Sequence, residues 1–427
     1  MTINIITFGC RLNTYESEVL KEELASLNTK ENVIVFNSCA VTSEAERQLK
    51  QAIRKVRREN PGSKIILTGC AAQIYPEKYA IMNEINLVLG NKEKSEFVRV
   101  LYNYLAQQNK EQKIENKINV SNIQKNSDYF KNFSMLTNFE DRTRAFVQIQ
   151  NGCNHRCTYC IIPYGRGKSS SVESGKVVSQ IKGLCKKGYK EIVLTGVDIT
   201  EYGKDLNEDL SLGDLVELIL KELPELKRLR LSSIDVAEVD EKLINLICYE
   251  KRLMPNIHIS LQSGDNMILK RMLRRHSRED VIEFCNKVRA IRPAISFGCD
   301  IIAGFPTETD EMFQNSLRII EEADLVYTHI FPYSIREGTP AAKMEQINGK
   351  IKKERARLLR KAGEKQLKFF LKKMIGTEQS ILVENNNVGK TENFAVVEIV
   401  TTKKLESGQI LNLTIIDQKN DKLLACC

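Results

Sequence analysis

The chain has 427 residues, long enough for two or three domains and a sizeable core, and its 42% hydrophobic and 28% charged content is that of an ordinary globular protein. No stretch approaches 18 uncharged apolar residues, and the N-terminal MTINIITFGC lacks a basic lead, so neither a membrane span nor a signal peptide is predicted and a cytoplasmic protein is expected. The net charge of +9 is local: residues 350–375, KIKKERARLLRKAGEKQLKFFLKKMI, carry eleven basic against two acidic residues, and the remainder balances at 53 of each. Such a basic helical face suits nucleic-acid phosphate, or merely water.

Residues 1–103 alternate short apolar runs with helical patterns. Strands are predicted at 3–8, 33–36, 64–67 and 85–89, separated by the helix-like TYESEVLKEELASL, TSEAERQLKQAIRKVRREN and IYPEKYAIMNEI. Asn60-Pro61-Gly62 breaks the second helix. Repeated βα units predict a doubly wound parallel sheet. Residues 104–141 are rich in Asn, Lys and Gln without periodicity, and predict a linker or irregular crossover.

From 142 the alternation resumes, with strands predicted at 145–150, 191–194, 228–231, 257–261, 296–302 and 325–331. Six strands, each but the last followed by a helix, predict an open (β/α)6 partial TIM barrel within 142–375, the basic helix included. TGVD, SSID, QSGD and GFPTET follow strand ends, so the chemistry is expected on that C-terminal face. Residues 376–427 hold QSILVE, FAVVEIV, QILNLTII and KLLACC, which predict a small OB-like β-barrel. The whole chain reads as α/β.

In a reducing compartment the twelve cysteines point to metal binding or catalysis rather than disulfides. Cys185, Cys248 and Cys285 fall in helical patterns and are assigned to packing, and Cys426 and Cys427 form an exposed tail. Cys10, Cys39 and Cys70 instead each end a predicted strand and precede a helix. The C-terminal tips of a parallel sheet share one edge, and neighbouring strands lie about 5 Å apart, so the three thiols can converge on a metal centre.

A second set, Cys153, Cys157 and Cys160 in NGCNHRCTYC, follows the first barrel strand as C-x3-C-x2-C. Three thiolates this close bind a soft metal. His155 is too near the middle of the loop to join their tetrahedron in a zinc site. Three cysteines on an iron–sulfur cubane leave one iron open to a ligand. A zinc knuckle or a redox triplet is the alternative.

The C-x3-C-x-aromatic-C loop, with Tyr159 as its aromatic, resembles the signature of the radical S-adenosylmethionine (SAM) superfamily. The resemblance implies a [4Fe–4S] cluster on Cys153, Cys157 and Cys160 whose open iron chelates SAM, and one-electron cleavage to a 5′-deoxyadenosyl radical. It also implies cofactor contacts from Tyr159, from Gly196 and Asp198 in LTGVD, from Gln262 in ISLQSGDNMILKRMLRRH, and from Asp300 in DIIAGFPTETDEMF.

GC-x-x-N followed by Glu16-Ser17, NSCAVT, GCAAQ and YSIREGTPAAKM make nearly the whole chain similar to the methylthiotransferases. That resemblance implies a second [4Fe–4S] cluster on Cys10, Cys39 and Cys70, and a TRAM RNA-binding module at 376–427. It implies two SAM molecules, one to methylate a sulfur atom and one to make the radical. A methylthio group then replaces a C–H hydrogen too weakly acidic for general-base chemistry.

CRLNTYESE, NSCAVTSEAERQ and TGVDITEYGKDL are most similar to the branch acting on N6-threonylcarbamoyladenosine 3′ of the tRNA anticodon, with Arg11 where lysine is expected. Isopentenyladenosine in tRNA and an aspartate of a ribosomal protein are the other substrates of the family. A non-catalytic metal- and RNA-binding protein is the reading from a different class. The implied partners are the anticodon stem-loop, an external electron donor and a sulfur source. Lys352, Lys353, Arg355, Arg357 and Arg360 are expected to follow the stem-loop backbone, with RGKSSS at 166–171 adding contacts.

Overall fold

The structure, a computed structural model, describes residues 3–25, 27, 31–108, 117–124, 135–136, 138–139, 142–208, 210–385 and 387–427. Strands β1 (Ile3–Thr7), β2 (Val33–Ser38), β3 (Lys64–Gly69), β4 (Leu87–Leu89) and β5 (Ile118–Asn119) form one sheet in the order β1-β2-β3-β4-β5, parallel throughout. VIVFNS in β2 is buried at every position because the strand lies between two others and under helices on both faces. Ile34, Phe36, Ile65 and Leu67 pack with Leu49 and Ile53 of helix Ser43–Glu59 on one face. Val33, Val35 and Ile66 pack with Leu20 of helix Arg11–Leu24 and Leu101 of helix Phe97–Gln108 on the other. The strand order is sequential, without the reversal usual in a doubly wound sheet.

Helix Phe97–Gln108 and β5 both enter the stretch expected to be a linker, and β5 joins the sheet edge. The rest of that stretch, at 109–116, 125–134, 137, 140 and 141, lies outside the described residues.

The barrel strands are β6 (Arg144–Gln148), β9 (Glu191–Thr195), β10 (Arg228–Leu231), β11 (Asn256–Gln262), β12 (Ser296–Ala303) and β13 (Leu325–Pro332). Between β6 and β9 a small hairpin, β7 (Gln150–Asn151) with β8 (Ser170–Ser171), closes the cysteine loop at its base. Two parallel sheets, β6-β9-β10 and β11-β12-β13, join through the bridges Leu229–Leu253 and Ile234–Ile259 into a six-stranded arc. The last strand does have its helix, contrary to expectation: the basic Gly349–Lys372 packs on β13 and on helix Asp310–Glu322. Gly363 permits the approach, since a Cβ there would stand 1.9 Å from Thr328 Oγ1.

Helix Arg11–Leu24 lies between the two units. Its Tyr15 and Val19 belong to the barrel core, whereas Leu20 and Leu24 belong to the N-terminal one. This double burial explains why the helix is apolar or buried on nearly every side.

The C-terminal residues form a closed barrel in the order β14 (Glu378–Asn385), β15 (Val388–Thr391), β16 (Val396–Val400), β18 (Lys422–Cys426) and β17 (Ile410–Lys419). It docks under the N-terminal ends of the large barrel's strands, away from the cysteine loop. There Arg228 donates to Ser380 O at 2.9 Å, Arg230 to Glu392 O at 2.8 Å, and Ser296 Oγ to Asn393 O at 2.8 Å. No helix among the described residues is long and apolar enough to cross a membrane.

Candidate active site

A cavity of about 320 Å³ opens at the C-terminal ends of the barrel strands. Cys153, Cys157, Cys160, Tyr159, Asp198, Gln262 and Asp300, all singled out in the sequence, line it. Gly196 stands behind its wall, where a Cβ would come within 2.8 Å of Gln150 O. Gln150 in turn holds the 196–198 turn, because its Oε1 accepts from Val197 N at 3.0 Å and Asp198 N at 2.9 Å. Gln262 has φ of 69° where the β11–β12 register slips, and this irregularity turns it toward the cavity.

Burial pushes the Cys160 thiol up to about 12. Burial, with Asp198 beside it, raises Cys153 as well. Thiolates there need a cation, and three sulfurs in one short loop are the donor set of a soft metal cluster. Arg274 donates to Cys157 Sγ at 3.9 Å and to Asp235 at 2.8 Å. The cavity is lined further by Arg274, Tyr333 and Arg336, and Arg274 Nε, Tyr333 Oη and Arg336 Nε are buried without a hydrogen-bond partner, so the lining has donors to spare for a polar cofactor. His155, expected to be excluded from a common coordination sphere, lies with Asp198 and Cys153 in a group whose ligand atoms are within 4.8 Å of one another. The carboxylates of Asp198 and Glu238, 3.1 and 3.7 Å from its Nε2, raise its pKa to about 10, which makes it an imidazolium next to Cys153.

The opposite wall comes from the N-terminal unit. Val41 and Thr42, just after Cys39, line the same cavity. Ser43 Oγ meets Ser334 Oγ at 2.7 Å, and Arg336 pairs with Glu46, which ties the two units together over the opening.

Cys10, Cys39 and Cys70 sit at the ends of β1, β2 and β3, three neighbouring strands. Cys10 occupies the N-cap of helix Arg11–Leu24 without a capping hydrogen bond, so its thiol is not committed to the helix. Gly9, with φ of 104°, lies so close to Cys39 that a Cβ would stand 2.7 Å from Cys39 Cβ and 3.0 Å from its Sγ. Burial pushes Cys39 up to about 12, with Cys70 and Cys10 also acting on it.

Arg166 was missed in the sequence. Expected as an RNA contact within RGKSSS, it is buried, donates to Cys70 Sγ at 3.2 Å and pairs with Glu16. Lys94 completes this network at 2.6 Å from Glu16, and Asn37 Oδ1 accepts from Lys94 at 2.9 Å. No local signal marks it, since Glu16 and Arg166 are 150 residues apart.

Residues 2–90 match the model of the uncharacterized protein family UPF0004, and residues 147–320 match that of the radical SAM superfamily. A relative from Rickettsia prowazekii (strain Madrid E), threonylcarbamoyladenosine tRNA methylthiotransferase MtaB, is 52% identical over 412 residues, covering 96% of this chain and 94% of its own. The chain belongs to the radical SAM methylthiotransferase family.

This methylthiotransferase is also 31% identical to a tRNA-2-methylthio-N(6)-dimethylallyladenosine synthase from Geobacillus thermodenitrificans (strain NG80-2), over 97% of this chain and 81% of that one. Among solved structures, the radical SAM methyltransferase TsrM from Kitasatospora setae shares the fold, with a TM-score of 0.52 at 13% identity over 80% of this chain and 74% of that one. As a radical SAM enzyme, the methylthiotransferase uses SAM and a [4Fe–4S] cluster.

Proposed function

We propose that the enzyme converts N6-threonylcarbamoyladenosine, 3′ of the tRNA anticodon, into its 2-methylthio derivative. The observation that carries this reading is one cavity walled by the Cys153–Cys157–Cys160 loop on one side and by the residues following Cys39 on the other. A base held there meets the first cysteine set and the segment that follows Cys39.

Cys153, Cys157 and Cys160 hold the cluster, and with SAM it supplies the hydrogen-abstracting radical. Tyr159 packs edge-on against Phe305, at 6.4 Å between ring centroids, and so fixes the loop. Gly196 lets the backbone turn close to Gln150, and Asp198 steadies His155 at 3.1 Å. Gln262 and Asp300 supply polar contacts from β11 and β12. Phe331 is 41% exposed while lining the same cavity, and offers a face on which an extruded base can stack.

Cys10, Cys39 and Cys70 hold a second [4Fe–4S] cluster that handles the sulfur. This assignment is supported by their adjacency on the sheet edge, by the glycine at Gly9, and by the Arg166 donor to Cys70. The electron donor and the sulfur source are external. The exposed cations of Gly349–Lys372 and the small C-terminal barrel bind the anticodon stem-loop.

Mass spectrometry of tRNA nucleosides from cells lacking the gene tests the reading. It predicts that the 2-methylthio nucleoside disappears and N6-threonylcarbamoyladenosine accumulates. An unchanged nucleoside profile would overturn it.

A further inference from the structure

Below the catalytic cavity the barrel is hollow, and the hollow is cationic. A second cavity of about 310 Å³ is lined by Arg11, Arg142, Arg144, Arg230 and Lys390, with Glu384 as the acid in its lining. Glu384 pairs with Arg144, and Arg230 pairs with Glu191 at 2.7 Å. Arg142 and Lys390 lie over the rings of Phe146 and Phe394. Arg11 has no ion pair or hydrogen bond to its guanidinium among the described residues.

Arg11 lines this second cavity beside Cys10. It opens helix Arg11–Leu24 immediately after Cys10, on the side of that helix packed into the barrel. Its side chain is exposed where it lines that cavity. The charge of Asp300, which lines the catalytic cavity, reaches it. That carboxylate is already engaged: His258 Nε2 stands 3.1 Å and His329 Nδ1 3.3 Å from its Oδ1. A guanidinium without an acid partner is free to bind a carboxylate through a charge-assisted fork.

The proposed nucleoside brings such an anion. Its N6 substituent ends in a threonyl carboxylate, whereas the dimethylallyl group in the name of the Geobacillus relative is an uncharged hydrocarbon. We infer that the bore beneath the catalytic cavity receives the N6 substituent, and that Arg11 pairs with its carboxylate. Arg11 is then a specificity-determining residue, and Asp300 with His258 and His329 forms the polar collar that the substituent passes. The assignment rests on the proposed function and adds the part of the site that reads the substituent.

The test uses the full chain with its iron–sulfur content restored, and two anticodon stem-loop RNAs. One carries N6-threonylcarbamoyladenosine and the other its methyl ester. Wild-type enzyme is expected to prefer the acid roughly 10- to 100-fold in kcat/KM, the range for a hydrogen bond to a charged group. Arg11→Gln is expected to bring that ratio to within about threefold, and Arg11→Lys to restore most of it. Iron content serves as the folding control. Equal rates on acid and ester by the wild type would overturn the assignment without any variant, as would an Arg11→Gln enzyme that loses both substrates in the same proportion. A wild type that modifies neither RNA would instead overturn the proposed function, and the assignment with it.

Discussion

Glu16 is a fully buried carboxylate between Lys94 and Arg166, in contact with the residues that back the N-terminal cysteines. Burial alone would raise its pKa, but Arg166 and Lys94 hold it down at about 2. A depressed folded-state pKa contributes stability above the unfolded value of 4.5, and that contribution is lost as pH falls toward about 2. Glu16→Gln should cost ~3–5 kcal/mol at neutral pH, because it leaves two buried cations short of their anion. Thermal melts of the two apoproteins at stepped pH check this: the gap between wild type and variant should narrow steadily below pH 4.5. A gap that stayed constant would rule out the ion pair as its source. The placement of the two cysteine sets was legible in the sequence because their pattern is either a short spacing or a repeated place at strand ends. Glu16, Lys94 and Arg166 were not, since only the folded chain brings them together.

The basic helix Gly349–Lys372 shows how far composition can be read. Its charge was evident, but its two jobs were not separable from sequence. Arg355 is buried and spent on Glu308 at 2.8 Å and Asp310 at 2.7 Å, and Arg360 donates to Ile330 O at 3.0 Å. Lys353, Lys361 and Lys365 are among its exposed cations and can meet phosphate. Replacing these three with Gln should reduce the salt slope of log affinity for tRNA by roughly 2 to 3 while leaving Tm nearly unchanged. Arg355→Ala should do the reverse: it strands Glu308 and costs ~3–5 kcal/mol of stability with little change in that slope. Filter binding across a salt series, beside thermal melts, separates the two. The amphipathic period makes such a helix visible, whereas the ion pairs that consume part of its charge depend on the loop after β12.

At the scale of the whole molecule, helix Arg11–Leu24 does more than cover a sheet. It is the wedge through which the N-terminal unit packs against the barrel, and it presents Cys10 at its first turn and Arg11 to the hollow. The small barrel plugs the opposite end of the large one. The three architectural blocks could be read from the alternation of apolar runs. Their mutual placement could not, because it depends on side chains such as Arg228, Arg230 and Arg336 that look like ordinary surface cations in the linear chain.

In the proposed function two cysteine sets act in sequence, one for the radical and one for the sulfur. Cys39→Ala, prepared anaerobically and reconstituted, tests it most directly. Iron should fall from about eight to about four per chain. Reductive cleavage of SAM should persist, and methylthiolation of an N6-threonylcarbamoyladenosine stem-loop should cease. A variant that still methylthiolates that RNA at the wild-type rate would contradict the account.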